Sequence, residues 1–282
     1  NIIATMVELT GLLIVIVAGT LFLGRTPEAG IAQTIEAGRS IGWTGVASGA
    51  ALGFFAFIGF EDMVNVAEEV KDPERNMPRA ILLALFVTGI VYLLVVLVAT
   101  SVVEPAVLAE SDAPLLSVVQ HSTDAVPDRV FSLIALFAVA NTGLLNFIMG
   151  SRLIYGMSRQ GLLPAALGKV HPRRRTPHVA VLTVLAVALA LALSGTLTFL
   201  AGTTSLLLLL VFFTVNVSLV VIKRRDRGEV RSFCAPRLAP IAGALSCLGL
   251  MPFVPAGSIL TAGIILGLGA MLVVLRRERA AG

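Results

Sequence analysis

The chain has 282 residues, of which 57% are hydrophobic and only 13% charged, about half the charged share of an average soluble domain. Such a composition, with a mean hydropathy of +0.94, excludes a disordered chain, a nucleic-acid module and an ordinary soluble enzyme, and implies a polytopic membrane protein. A net charge of only +4 beside a pI near 9.6 makes the placement of the basic residues the next question.

A membrane helix needs about 20 mainly apolar residues. Candidate segments in chain order are 2–23, 43–62, 79–103, 130–156, 178–199, 203–222, 238–254 and 257–275. The first carries one acid, Glu8, and is too long for the apolar core of a signal peptide. The second is rich in glycine. The fifth and sixth are expected to part at a short turn near Gly202. The seventh ends in Pro252 and Pro255. None alternates residue by residue as a barrel strand does. The expected fold class is therefore an all-α membrane protein with eight transmembrane helices.

Charge sets the orientation. With the C-terminus placed in the cytoplasm, 18 of the 21 basic residues fall in inner loops, at 71–79, 152–175, 223–237 and 276–279. The outer loops hold only Arg25, Arg39 and Arg129, beside Glu28, Glu36, Glu104, Glu110, Asp112, Asp124 and Asp128. The positive-inside rule then predicts that both ends are cytoplasmic and that the basic clusters face anionic lipid, not nucleic acid. Cys234 lies in an inner loop and Cys247 inside a span, positions that suit no disulfide. His121, His171 and His178 do not cluster with them, so no metal site is expected, and no membrane-embedded enzyme. The Asn216-Val217-Ser218 sequon lies within a span. The longest stretch outside the spans is 104–129.

Several polar groups inside the spans bear on function. Gly45, Gly49 and Gly53 recur every four residues and give one helix face a smooth strip that permits close packing. Gly59 differs, because it sits among Phe54, Phe55, Phe57 and Phe60 just before Glu61 and Asp62. A break there would free carbonyls at the end of one half-helix and N–H groups at the start of the next, a combination that suits a zwitterion. An ionised Glu8 costs roughly 2.5–3.5 kcal/mol at mid-membrane, so it is paired, protonated or close to the inner water boundary. In the fourth segment Asn141, Thr142 and Asn146 are polar groups at helical spacing, and Thr214 and Asn216 in the sixth invite the same readings. Interhelical hydrogen bonding, worth about 0.6 kcal/mol per contact, suffices for Asn146, Thr214 and Asn216. Glu68 and Glu69, with Lys71, Arg75 and Arg79, form a mixed-charge loop. It reads either as an inner-gate ion pair to the region of Arg152 or as a solvated helix end. Pro73 and Pro78 are expected to stop the helix.

Two longer motifs carry a resemblance. Phe54-Phe55-Ala56-Phe57-Ile58-Gly59-Phe60-Glu61, followed by Ala67-Glu68-Glu69-Val70-Lys71-Asp72-Pro73-Glu74-Arg75-Asn76-Met77-Pro78, resembles the sixth helix and following loop of the amino acid–polyamine–organocation permeases. Ser151-Arg152-Leu153-Ile154-Tyr155-Gly156-Met157-Ser158-Arg159-Gln160-Gly161-Leu162-Leu163-Pro164, with Thr176-Pro177 beyond, resembles their eighth helix and the loop behind it.

The resemblance implies an inverted-repeat (LeuT-like) transporter fold of ten core helices plus two. The eight segments would be helices five to twelve of a single transporter domain that is N-terminally incomplete. Residues 1–23 would end the first repeat, 43–222 would form the second, and 238–275 would be two accessory helices. Helices one to four, including the family's other broken helix, would lie outside the chain.

It further implies secondary active transport of amino acids by alternating access, through proton symport or exchange. Polyamine or cationic amino acid antiport and a non-transporting sensor or subunit are the alternatives. The implied partners are an amino acid and the bilayer of the plasma (inner) membrane, with no cofactor and with a coupling proton in preference to sodium. Residue by residue, Phe55 would cover the substrate as a gate. The carbonyls of Phe55, Ala56, Phe57 and Ile58 would face its amino group, and Gly59 would be the break. Glu61 matches an acidic position that is pH-sensitive or structural. Proton-coupled relatives often hold a lysine where this chain has Glu8. The departure leaves two readings, a carboxylate that carries the proton or one that pairs with an absent helix. Asn141 and Thr142 would face the core near Glu8, since family helices five and eight lie close together, and interhelical hydrogen bonding is the other reading for Asn141.

Overall fold

The computed structural model describes residues 2–25, 35, 38, 41–225, 236 and 238–281. Among them every regular element is helical. The helices are α1 (Ile2–Arg25), α2 (Trp43–Ala56), α3 (Pro73–Val102), α4 (Pro105–Glu110), α5 (Pro114–Ser122), α6 (Asp128–Arg159), α7 (His178–Ser194), α8 (Leu197–Arg225), α9 (Leu238–Leu250) and α10 (Ala256–Ala281). Short 3₁₀ turns cover Phe60–Glu69, Ala165–Gly168 and Met251–Phe253. Cys234 lies outside the described residues.

Each of the eight apolar segments is mainly helical, but five by themselves are long and apolar enough to cross a membrane: Ile2–Arg25, Trp43–Val64, Pro73–Val102, Asp128–Arg159 and Leu197–Arg224. Leu238–Phe253 and Ala256–Met271 pass that test only as a pair bent by 118°. Pro252 and Pro255 account for the bend, since neither can donate to a continuing helix. α7 has 17 residues.

Three boundaries differ from expectation. Pro73 opens α3 and Pro78 lies inside it. A proline is tolerated at the first position of a helix, where the N–H groups have no partner, so Pro73 marks an entrance and not a stop, while Pro78 leaves the Glu74 carbonyl without its helical donor and the helix continues past it. Asn76 Nδ2 holds the preceding chain through the Lys71 carbonyl at 2.6 Å. The turn between α7 and α8 falls at Gly195 and Thr196, with Gly202 inside α8. Thr196 caps α8 by accepting the Phe199 N–H at 3.4 Å. Gly202 is small for packing: a Cβ there would stand 2.6 Å from Ser258 Oγ and 3.1 Å from Pro255 Cδ. Finally, 104–129 contains α4 and α5, each opened by a proline at its first position.

The chain divides into two compact units, residues 1–41 with 82–148, and 42–81 with 149–282. α3 and α6 contribute to both. In the first, Val15, Val95, Val98, Val118, Val119 and Phe131 form the buried centre. Gly19 lets α1 meet α3 closely, because a Cβ there would run into the Val98 side chain. In the second, Ala51, Leu206, Leu209, Cys247, Val254 and Ala262 pack together. Asn216 and Gly243 make a tight α8–α9 crossing, with Asn216 Oδ1 2.7 Å from a Cβ built on Gly243. Lipid gives apolar helices no net drive to associate, so close contact at small residues carries more of the packing than in water. On the glycine strip of α2, a Cβ at Gly49 or Gly53 would meet nothing within 4 Å. The close packing that the strip permits is not made at these two positions among the described residues.

Candidate functional site

The first unit brings Glu8 and Asn141 together from positions 133 residues apart. Asn141 Nδ2 donates to Glu8 Oε1 at 2.8 Å, and both residues are half-buried. Glu8 lies six residues into α1, about 9 Å along the axis. A hydrogen bond to a carboxylate in such surroundings is stronger than the same bond in water. Asparagine also suits either protonation state, since its NH₂ donates to a carboxylate and its carbonyl accepts from a carboxylic acid. Glu8 borders a mostly apolar cleft of about 510 Å³, lined also by Gly11, Leu12, Leu115, Phe131 and Thr142 among others.

The second unit holds the interrupted helix. α2 ends at Ala56, residues 57–59 turn, and the 3₁₀ segment Phe60–Glu69 continues the chain. Gly59 has φ +123° and ψ −19°, a conformation open to glycine and strained for a residue with a Cβ. The Phe57 N–H donates to the Phe54 carbonyl at 3.1 Å and the Ile58 N–H to the Phe55 carbonyl at 3.2 Å. An ammonium group arriving at the Phe55 carbonyl would therefore share that oxygen with the turn. Glu61 folds back, and its Oε2 accepts the Gly59 N–H at 2.8 Å. A carboxylate at the start of a helical segment satisfies a free donor and opposes the positive end of its dipole. The break thus presents carbonyls together with the chain's own carboxylate, a combination that favours a cation. Phe55 is exposed, Phe57, Ile58 and Glu61 are half-buried, and Ala56 and Gly59 are exposed.

Phe212 of α8 was not singled out in the sequence, yet it meets both halves of the break. Its ring lies 5.9 Å from Phe54, edge to face, and 5.5 Å from Phe60. The signal for it was weak, an aromatic pair Phe212-Phe213 closing a leucine run. In the same unit Arg152 and Glu69 stand 3.9 Å apart with both side chains exposed. They border a cleft of about 460 Å³ that also includes Tyr155, Met157 and Gln160. Exposed pairs of this kind contribute at most about 1 kcal/mol.

The polar groups of the sixth segment serve their own helix. Thr214 donates to the Leu210 carbonyl and Asn216 to the Phe212 carbonyl, each at 2.8 Å.

Comparison with known proteins gives consistent results. The family pattern described as amino acid permease matches residues 1–264. The chain is 32% identical over 213 residues to the branched-chain amino acid permease BcaP of Bacillus subtilis, covering 75% of this chain and 46% of that protein. It is 32% identical over 236 residues to the methylthioribose transporter of the same organism, covering 83% and 51%. Against the vacuolar cationic amino acid transporter 4 of Arabidopsis thaliana it is 29% identical over 222 residues, covering 78% and 36%. The chain spans about half the length of the two bacterial relatives.

Proposed function

The chain belongs to the amino acid permease family, and from that premise we propose that it serves secondary active transport of amino acids by alternating access. It is an integral membrane protein by its family and its apolar helices. The eight helical segments are read as helices five to twelve of an inverted-repeat transporter, with both ends cytoplasmic and the plasma membrane as the site. The observation that carries the proposal is the break at Gly59. There α2 ends and the backbone turns through residues 57–59 with Gly59 at φ +123°, so that carbonyls at the break would come within reach of a substrate's amino group inside a span.

The proposed roles follow the geometry. The Ala56, Phe57 and Ile58 carbonyls, with Phe55 sharing its own, receive the amino group. The exposed Phe55 ring closes over the cargo. Glu61 holds the Gly59 turn in one shape until substrate arrives. Glu8 takes up and releases the coupling proton, and Asn141 turns to match each state. Phe212 keeps the two halves of the break in register through Phe54 and Phe60.

A second reading, cationic amino acid or polyamine exchange, is favoured by one observation: Glu61 places a carboxylate at the break itself. The named cargo of the relatives ranges over branched-chain amino acids, methylthioribose and cationic amino acids, so cargo has to be measured. The test is uptake by proteoliposomes of labelled neutral amino acids, cationic amino acids and polyamines, with and without an inward proton gradient. We expect saturable amino acid uptake that rises with the gradient. No uptake above protein-free liposomes across the whole panel would overturn the proposal. Uptake confined to amines and cationic amino acids would establish the second reading.

A further inference from the structure

The loop between α6 and α7 has features that transport does not require. The chain carries no aspartate or glutamate between Asp128 and Asp226. Within that acid-free stretch, Lys169 and the run Arg173-Arg174-Arg175 sit in one loop with all four side chains exposed. Among the described residues none of the four makes an ion pair.

The loop is also closed, not slack. His171 Nδ1 accepts the Arg173 N–H at 3.3 Å and the Arg174 N–H at 3.2 Å. The Arg175 N–H donates to the His171 carbonyl at 2.9 Å, and the His171 N–H donates to the Thr176 carbonyl at 2.9 Å. Arg175 has φ +52°, unusual for a residue other than glycine. The His171 ring meets that of His178, the first residue of α7, edge to face at 5.7 Å. His171 therefore gathers the backbone of three successive arginines, Arg173 and Arg174 through its ring and Arg175 through its carbonyl, beside the mouth of an apolar helix. A topology signal needs only the charges. A fixed backbone lowers the ordering cost of holding several guanidinium groups on one phosphate, which each can grip with two parallel N–H donors.

We propose that the His171–Thr176 loop is a preformed site for the phosphate headgroup of an anionic phospholipid, with Arg173, Arg174 and Arg175 as its ligands and His171 as the residue that positions them. Lipid is the fitting source of that phosphate. The loop joins Arg159, the last residue of α6, to His178, the first of α7, so both of its ends run into apolar helices. Basic surfaces beside membrane helices attract anionic headgroups in this way.

The test is native mass spectrometry of the protein released from nanodiscs of mixed phosphatidylglycerol and phosphatidylcholine. The wild type is expected to retain phosphatidylglycerol preferentially. Replacing Arg173, Arg174 and Arg175 by glutamine together is expected to lower that preference by on the order of 100-fold, about fivefold per arginine. His171→Leu keeps every charge and is expected to weaken retention. His171→Asn, whose Oδ1 stands where Nδ1 stood, is expected to preserve it. Undiminished retention in the triple variant, or an equal loss on neutralising Lys223 and Arg224 instead, would overturn the proposal. Displacement of the lipid by millimolar glycerol phosphate would assign the site to free anions and overturn it equally.

Discussion

The two units each set a carboxylate against a hydrogen-bond donor inside a span, and they do so over very different distances. Glu61 accepts from its own backbone two residues away. Glu8 accepts from a side chain 133 residues away on another helix. The local bond shapes a turn and stays formed as long as the turn does. The long-range bond joins two helices, so a change of charge on Glu8 alters how α1 and α6 hold together. In the proposed transport cycle the first would be the fixed break that exposes backbone and the second the contact that follows proton occupancy.

The comparison breaks most visibly at Gly59. Gly59→Ala forces a side chain into φ +123°, at a cost of about 1–3 kcal/mol concentrated at the break. Uptake is expected to fall about tenfold or more. Gly53→Ala, where a Cβ meets nothing within 4 Å, should transport like the wild type. Equal effects of the two changes would show that the break is incidental.

Asn141→Leu removes the only donor identified for Glu8 among the described residues. Leaving a half-buried partner unsatisfied costs up to about 1–3 kcal/mol, and the loss should appear as a lower unfolding temperature in detergent at neutral pH. Glu61→Ala removes the carboxylate from the Gly59 N–H, a cap worth about 1 kcal/mol, and should change stability less than Asn141→Leu. A larger effect at Glu61 would invert the comparison.

Arg152→Gln should cost the least. The exposed Arg152–Glu69 pair contributes at most about 1 kcal/mol, and the effect should vanish at high salt. A salt-resistant loss of uptake would instead give this pair the gating role that the sequence leaves open.

The break was legible in the sequence because its signal is local: one glycine among aromatics, followed by two acids. The proximity of Glu8 and Asn141 was not, since no periodicity relates residues 133 positions apart, and only the family resemblance suggested it. Glycine was read correctly or wrongly according to what lay across from it. Gly59 bends the backbone, whereas Gly202 continues a helix because Ser258 and Pro255 press against it from distant sequence. A turn and a close contact both call for glycine, and sequence spacing does not separate them. Phe212 escaped notice for the same reason, because its ring contacts with Phe54 and Phe60 bridge segments about 150 residues apart.

The most direct test of the account is amino acid uptake by the whole protein in proteoliposomes, wild type against Glu8→Gln, measured across pH under an imposed proton gradient. Glutamine keeps an acceptor for Asn141 but cannot titrate. The account predicts that Glu8→Gln retains substrate exchange while losing the response to the gradient, with a flat pH profile. A Glu8→Gln profile that superimposes on the wild type would contradict it.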